Sequence, residues 1–372
     1  MATRKLRTGF STGTAAAAAA KAALTALLSG RKPGRIPVKL PSGDDLPVAV
    51  AEVRLLSGRE ASATVIKDAG DDPDVTHGAA IQAQVSISDQ DEPAEKIVIE
   101  GGPGVGRVTR PGLPVAVGQA AINPVPRTMI AEGLRQVWGE FHPDDRPCRL
   151  NVTISVPDGE RLARRTLNPR LGIVGGLSIL GTTGLVKPFS HEAYTATIAS
   201  ALDVARAGGL EEVVLTTGGR SEKLALKLRS DLPETAFIQI ADYFGLALAE
   251  AGRRCFARLG LVSFFGKAVK QAQGLADTHA HKAQLQLTEL AGWLEEAGAD
   301  PELVREVAAA NTALQALDLM RSRRSLDLTA AVGRRVLSSA RKFAGPGLDL
   351  WLAIVDYDGS CLYQNREDAK AC

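Results

Sequence analysis

The chain has 372 residues, and 44 Lys and Arg stand against 42 Asp and Glu, a formal net charge of +2. That balance gives no reason to expect nucleic-acid or membrane binding from charge, and 4% aromatic residues argue against stacking platforms for single strands. An apolar content of 45% supports real cores, and the length suits about two domains.

A helix opens the chain. Thr12 or Thr14 can cap it, Ala15–Ala20 supplies the best helix former, and Gly30 stops it. No apolar run reaches the length of a membrane span. The alanine run is broken by Lys21, so it reads as a helix of a mature cytoplasmic protein and not as a leader. Short β-rich runs follow at 36–40, 48–55, 62–66, 81–87 and 97–99, punctuated by Gly, Pro, Asp and Ser, as a mostly antiparallel or mixed sheet requires. Residues 101–126 are dense in Gly and Pro, too long and too apolar for a simple turn. A helix over 127–138 and a strand over 150–156 close this half.

The second half changes period. A strand over 171–181 leads to a helix over 192–207. Strands over 212–216, 236–240 and 261–265 then alternate with helices over 222–229 and 244–259, which implies a parallel sheet. Residues 286–337 read as a helical excursion, and 351–356 as a returning strand. The fold class is therefore α+β in two domains. An N-terminal mixed β-sheet with helices and glycine-rich substrate loops spans 1–160. A C-terminal α/β domain with a parallel-type sheet, the helical excursion and a cofactor crevice spans 161–372.

In an open parallel sheet, ligands bind beyond the carboxyl ends of the strands. Here those ends carry Gly181-Thr182-Thr183-Gly184, Thr217-Gly218-Gly219-Arg220, Asp242 and Gly266-Lys267, expected to converge on one crevice. Side-chain-poor backbone lets a ligand approach, and the Thr hydroxyls can bond it. Gly181, Thr182, Thr183, Gly184, Thr217, Gly218 and Gly219 are thus the candidate cofactor contacts, with Asp242 and His279 the candidate catalytic groups. Arg107, Arg110, Arg127, Lys187, Lys267 and Lys270 lie in or beside glycine-rich loops and suit a ligand with many carboxylates. Thr12, Gly13 and Thr14 join them as substrate candidates. Gly101–Gly106 fails the dinucleotide spacing. Gly260 and Gly266-Lys267 have one residue too many between them for a phosphate loop, and Ala268 stands where Ser or Thr is needed. Asp277-Thr278-His279-Ala280-His281 is the one histidine cluster, and it lacks the further ligands a metal needs. Cys148, Cys255, Cys361 and Cys372 are scattered, without a C-x-x-C pair, and read as free thiols.

Several segments resemble one family. Leu6-Arg7-Thr8-Gly9-Phe10-Ser11-Thr12-Gly13-Thr14 followed by alanines is similar to the opening signature of the CbiD proteins, the cobalt-precorrin-5B C1-methyltransferases of cobalamin biosynthesis. Gly104–Leu113, Ala121–Arg127, Thr166–Pro188, Gly266–Lys270 and Asp277–His279 look like its later motifs, in order. Ala15 stands where many relatives have cysteine, and Thr217-Gly218-Gly219-Arg220 departs from the family's usual turn. The resemblance implies methyl transfer from S-adenosylmethionine, as co-substrate, to C1 of a cobalt-bearing tetrapyrrole, with no protein-bound metal. It implies neither a nucleic-acid nor a membrane partner, and leaves a homo-oligomer open. Which domain holds cofactor and which macrocycle also stays open. So do two rivals, a nucleotide-dependent kinase or oxidoreductase and a non-catalytic tetrapyrrole carrier.

Overall fold

Alanine decides how the first half packs. The computed structural model describes residues 6–87, 96–143, 149–279 and 284–365, in two compact units, 1–191 and 192–372. In the first, β1 (Gly9–Phe10) leads into α1 (Thr12–Ser29). Ala15, Ala16, Ala18, Ala19, Ala20, Ala22 and Ala23 of α1 are fully buried. A helix buried all round must have small side chains if its neighbours are to approach it closely. Ser11, not Thr12 or Thr14, is the N-cap, its side chain accepting from the Thr14 amide. Gly30 closes the helix at φ 70°.

α1 lies between α2 (Pro124–Phe141) and a sheet. The strands β2 (Arg35–Lys39) and β3 (Asp45–Ala49) form a hairpin beside it. The sheet runs β4 (Glu52–Ser57), β5 (Glu60–Ile66), β6 (Ala80–Ile87), β10 (Arg149–Ser155), β7 (Lys96–Gly101). Its pairings are antiparallel except β10 with β7, so the expected mixed sheet is present. Ala61, Ala63 and Val65 of β5 and Leu150, Val152 and Ile154 of β10 alternate into the core that α1 fills. The predicted strand over 48–55 is in fact two, broken between β3 and β4.

The first unit ends at His191, not at residue 160. Beyond α3 (Gly159–Ala163) the chain folds back on this unit instead of leaving it. β11 (Ile173–Val174) pairs with β9 (Arg107–Val108), β12 (Gly176–Leu177) with β8 (Gly104–Val105), and β13 (Leu185–Val186) with β1. The predicted strand over 171–181 is therefore two short strands of the first unit, one of them paired parallel with β8, and no part of the five-stranded sheet of the second unit. Its apolar residues fill the first unit's core and a small cluster with Val108 and Val115.

In the second unit, α4 (His191–Ala207) precedes β14 (Glu212–Thr216), α5 (Gly219–Leu228), β15 (Phe237–Gln239), α6 (Phe244–Arg253), β16 (Arg258–Phe264) and α7 (Phe265–Ala272). The helical excursion comprises α8 (Leu287–Glu296), α9 (Pro301–Ala308), α10 (Ala313–Ser322) and α11 (Thr329–Ala344). β17 (Asp349–Val355) returns, and β18 (Cys361–Gln364), absent from the predicted elements, pairs with it antiparallel. Strand order is β15-β14-β16-β17-β18, parallel up to β17. Every residue of β14 is buried, as a strand covered on both faces requires. α5 covers one face; α4, α6, α7 and α11 cover the other. The helix predicted over 244–259 stops at Arg253, and Cys255, at φ 53°, turns the chain into β16. Among the described residues no helix is long and apolar enough to cross a membrane.

Candidate functional site

Strand order locates a crevice in the second unit. β14 sends its chain through α5 on one face, while β16, its other neighbour, sends its chain through α7 on the opposite face. Connections that leave in opposite directions open a gap at the carboxyl edge between those two strands. Its rim carries Thr217-Gly218-Gly219 after β14 and Gly266-Lys267 after β16. Thr217 Oγ1 lies 3.2 Å from Ser221 Oγ, which donates to Gly218 O at 2.9 Å. A Cβ added to Gly218 would meet nothing within 4 Å, and one on Gly219 only Gln239 Nε2 at 3.9 Å. The backbone here faces open space, which is what close approach by a ligand needs.

The neighbouring tip is strained and tied down. Ala241, after β15, sits at φ 47°, a left-handed conformation that costs a residue with a Cβ about 1–2 kcal/mol. Lys267 Nζ holds it by donating to Ala241 O at 3.0 Å, and pairs with Asp242 Oδ1 at 3.1 Å. Buried Thr278 donates its hydroxyl to Asp242 Oδ1 at 3.0 Å and its amide to Asp242 O at 2.9 Å. Lys270 Nζ donates to Thr278 O at 3.1 Å. Asp242, Lys267 and Lys270 are thus one hydrogen-bonded group, joined through Thr278. Oδ1 of Asp242 is occupied twice, which suits a fixed acceptor better than a roving base. His279 is exposed and its amide donates to Asp277 Oδ1 at 3.0 Å; His281 lies outside the described residues. Tyr243 beside Asp242 stacks on Tyr194, 5.1 Å between ring centres, and burial raises both phenols. Across the gap, Tyr357 stacks on Phe264 at 4.4 Å with the Arg220 guanidinium 5.1 Å from its ring. Sequence reasoning misses Thr278's linking role and these aromatic pairs, because nothing in residue spacing brings 194 to 243 or 264 to 357.

Gly181–Gly184 does not end a strand of this parallel sheet, contrary to expectation. That segment belongs to the first unit and wraps the N-terminus of α1. Gly13 donates its amide to Leu180 O at 2.9 Å, Thr12 Oγ1 accepts from the Leu180 amide at 2.9 Å, and Thr14 Oγ1 donates to Gly184 O at 2.7 Å. A Cβ on Gly181 would stand 2.2 Å from Ser11 Oγ; one on Gly13 would stand 2.7 Å from Pro126 Cγ. These glycines, and Thr12 and Thr14, are used by the protein's own packing. Thr182 and Thr183 are exposed at the tip of this loop, and Lys187 is exposed after it.

The first unit's arginines divide in the same way. Arg127 commits its guanidinium to Ile122 O at 2.9 Å and Ile99 O at 2.8 Å, a structural clamp under α2. Arg107 and Arg110 are exposed, each anchored by one bond, to Gly118 O at 2.9 Å and Arg170 O at 3.1 Å. One anchored donor leaves the rest of each guanidinium fork for an anion.

The loop between β5 and β6 holds a polar network that residue spacing does not announce. Lys67, buried, pairs with Asp74 Oδ2 at 2.5 Å. Thr76 donates its hydroxyl and amide to Asp74 Oδ1, both at 2.7 Å. Asp68 pairs with Arg7, and His77 Nδ1 lies 3.8 Å from it. Asp72 Oδ1 accepts the amide of Phe189 at 2.9 Å. Hydrogen bonding by Arg7 depresses the Asp68 carboxyl. Burial pushes Asp74 up, but Lys67 and Thr76 outweigh it and leave it below the ordinary value. Four aspartates with Gly and Pro between two apolar strands are the signal that could have found it. Among the described residues no group of His, Cys, Asp and Glu is arranged to hold a metal ion, and Cys255 and Cys361 are free thiols; Cys148 and Cys372 lie outside the described residues.

Known proteins resemble this chain along most of its length. Residues 1–188 match the family model described as CbiD, and residues 277–366 that of the CbiD C-terminal domain. A relative from Nitratidesulfovibrio vulgaris, named cobalt-precorrin-5B C(1)-methyltransferase, is 49% identical over 85% of this chain and 80% of its own. One from Priestia megaterium with the same name is 46% identical over 82% of this chain and 81% of its own. A crystal structure of a cobalamin biosynthesis protein (cbiD) from Archaeoglobus fulgidus is 29% identical, with a TM-score of 0.38, over 70% of this chain and 78% of that one. On motifs, family models and identity together, this chain belongs to the CbiD family.

Proposed function

We propose that this chain transfers a methyl group from S-adenosylmethionine to C1 of cobalt-precorrin-5B, giving cobalt-precorrin-6A and S-adenosylhomocysteine in cobalamin biosynthesis. The observation that carries the reading is the one name shared by relatives such as that from Nitratidesulfovibrio vulgaris, at 49% identity over 85% of the chain. A cytoplasmic enzyme is part of the same proposal.

We assign the donor to the crevice of the second unit. Open space above Gly218 and Gly219 and the fixed carboxylate of Asp242 fit a small polar ligand that lies against backbone. Thr217 and Ser221 supply hydroxyls there, and Asp242 accepts from a ribose hydroxyl or the amino group. Arg107, Arg110 and Lys187 of the first unit suit the carboxylates of the macrocycle. When bound, the sulfonium supplies an electrophilic methyl group. The macrocycle's own carbon attacks it; the carbon–sulfur bond breaks, its electron pair stays on sulfur, and the macrocycle gives up a proton. The chain then needs no nucleophile of its own, and its task is alignment and exclusion of water. His279 is a candidate proton acceptor at the end of that sequence.

Calorimetric binding of S-adenosylhomocysteine tests the assignment. Gly219→Leu fills the open space and should weaken binding at least about tenfold, the scale of a ligand displaced from one good contact. Arg107→Ala should leave that affinity unchanged and raise the KM for the macrocycle. The reverse pattern would exchange the two ligands between the units.

A further inference from the structure

α1 carries one charge in its buried alanine stripe, and the reaction leaves it without a task. Lys21 is 5% exposed. Its ammonium donates to Pro37 O at 2.9 Å and to Gln136 Oε1 at 2.8 Å, both neutral oxygens. Among the described residues no carboxylate stands within ion-pair distance of it. Burial holds this ammonium below the usual lysine value, and Glu140 and Asp45 oppose that only from a distance. A buried cation without a counter-ion is half of an ion pair.

The other half has room. A cavity of about 320 Å³ opens over Lys21 between α1, α2 and β2, walled by Lys39, Glu132, Gln136, Met129 and Gly133. That volume is within the range of small-ligand sites, which begins at about 300 Å³. A Cβ on Gly133 would come to ordinary contact, 3.7 Å, with Lys21 Cδ, so this glycine lies beside the lysine stem on the cavity wall. Two lysines and one glutamate leave the lining one positive charge in excess. We propose that this cavity is a binding site for a monocarboxylate, whose oxygen takes the third N–H of Lys21 while its apolar portion lies on Met129 and Val38. A dianionic phosphate would overcharge the lining. The proposal does not depend on the reaction assigned above. The carboxylate is either a side arm of the macrocycle or a separate small acid.

The test titrates the whole protein with propionate, and in parallel with inorganic phosphate, following heat and the chemical shifts of lysine ε-methylene groups. Propionate should bind saturably and more tightly than phosphate. Lys21→Met keeps the packing volume and removes the charge; Gly133→Leu keeps the charge and fills the space. Each should weaken propionate by a factor of about ten or more, the scale of one charge-assisted hydrogen bond. Melting temperatures of both variants show whether they fold. A raised KM for the macrocycle in Lys21→Met assigns the site to a substrate arm, and an unchanged KM with propionate binding lost assigns it to a separate acid. Absence of saturable propionate binding in the parent chain, or unchanged binding in both folded variants, overturns the proposal.

Discussion

At Ala241 the backbone stores strain that most alanines never see. With φ at 47°, it is held by the Lys267 ammonium on its carbonyl and by Thr278 on the next residue. Strain of this kind persists only where the surroundings over-determine it, and it gathers at functional sites. Ala241→Gly should therefore break the usual rule. It removes a left-handed penalty of about 1–2 kcal/mol and adds back about 0.5–1 kcal/mol of unfolded-chain entropy. Denaturant titration should find the variant at least as stable as the parent, while S-adenosylhomocysteine binds more weakly because Asp242 loses its fixed aim. A loss of stability with unchanged affinity would show that the strain serves nothing. Gly9 makes the contrary case, since a Cβ there would stand 2.2 Å from the backbone carbon of Ala69. Gly9→Ala should cost about 1–3 kcal/mol, as overpacking does, and this too is read by denaturant titration.

The turn between β5 and β6 shows what an element can hide from sequence. Lys67 is buried, and Asp74 is its counter-charge. Asp74→Asn leaves that ammonium unpaired, which should destabilise the chain by about 3 kcal/mol in chemical denaturation. The sign with pH follows from the depressed carboxyls of Asp74 and Asp68. Each carboxyl, held below its ordinary value of 3.8 in the folded chain, contributes stability that is fully present above that value. That stability is lost as pH falls through the depressed folded value. Acid unfolding of the parent should steepen below about pH 4, and Asp74→Asn should flatten it. Period and punctuation make most elements legible: β14 is read at its observed bounds, and β5, β6, β10 and α4 to within two residues. The stretch 171–181 misleads because Ile173, Val174, Leu177 and Ile179 have the composition of a buried strand, although its pairings are two residues long. Its glycines look like a ligand cradle. An alanine-rich helix nearby is the clue to the alternative, because a helix approached so closely needs glycine in whatever wraps its end.

Across the second unit as a whole, the two edges of the parallel sheet do different work. At the amino edge, Glu212 is buried and pairs with Arg229, which itself lies over Trp351 at 5.8 Å. Trp351 Nε1 donates to Glu212 Oε1 at 2.8 Å, and Arg258 lies 3.4 Å from Oε2. Gly260 leaves room for that indole, since a Cβ there would stand 2.3 Å from Trp351 Cζ2. At the carboxyl edge, the groups are hydroxyls, open glycines, a strained alanine and partly exposed charges. Charges sealed at one edge brace the starts of β14, β16 and β17, while the polar groups at the other edge are held by the strand ladder and by their own hydrogen bonds. The separation is testable with one substitution. Glu212→Gln removes the buried half of this ion pair and leaves Arg229 to the exposed Asp231, which it holds at 2.9 and 2.7 Å, and should cost about 1–3 kcal/mol. At a temperature where the variant is still folded, its affinity for S-adenosylhomocysteine should match the parent's, because every group assigned to that ligand stands at the far ends of the strands. A variant that keeps its stability would mean that Glu212 does not anchor the amino edge, and one that folds and yet binds the ligand at least about tenfold more weakly would mean that the two edges are not independent.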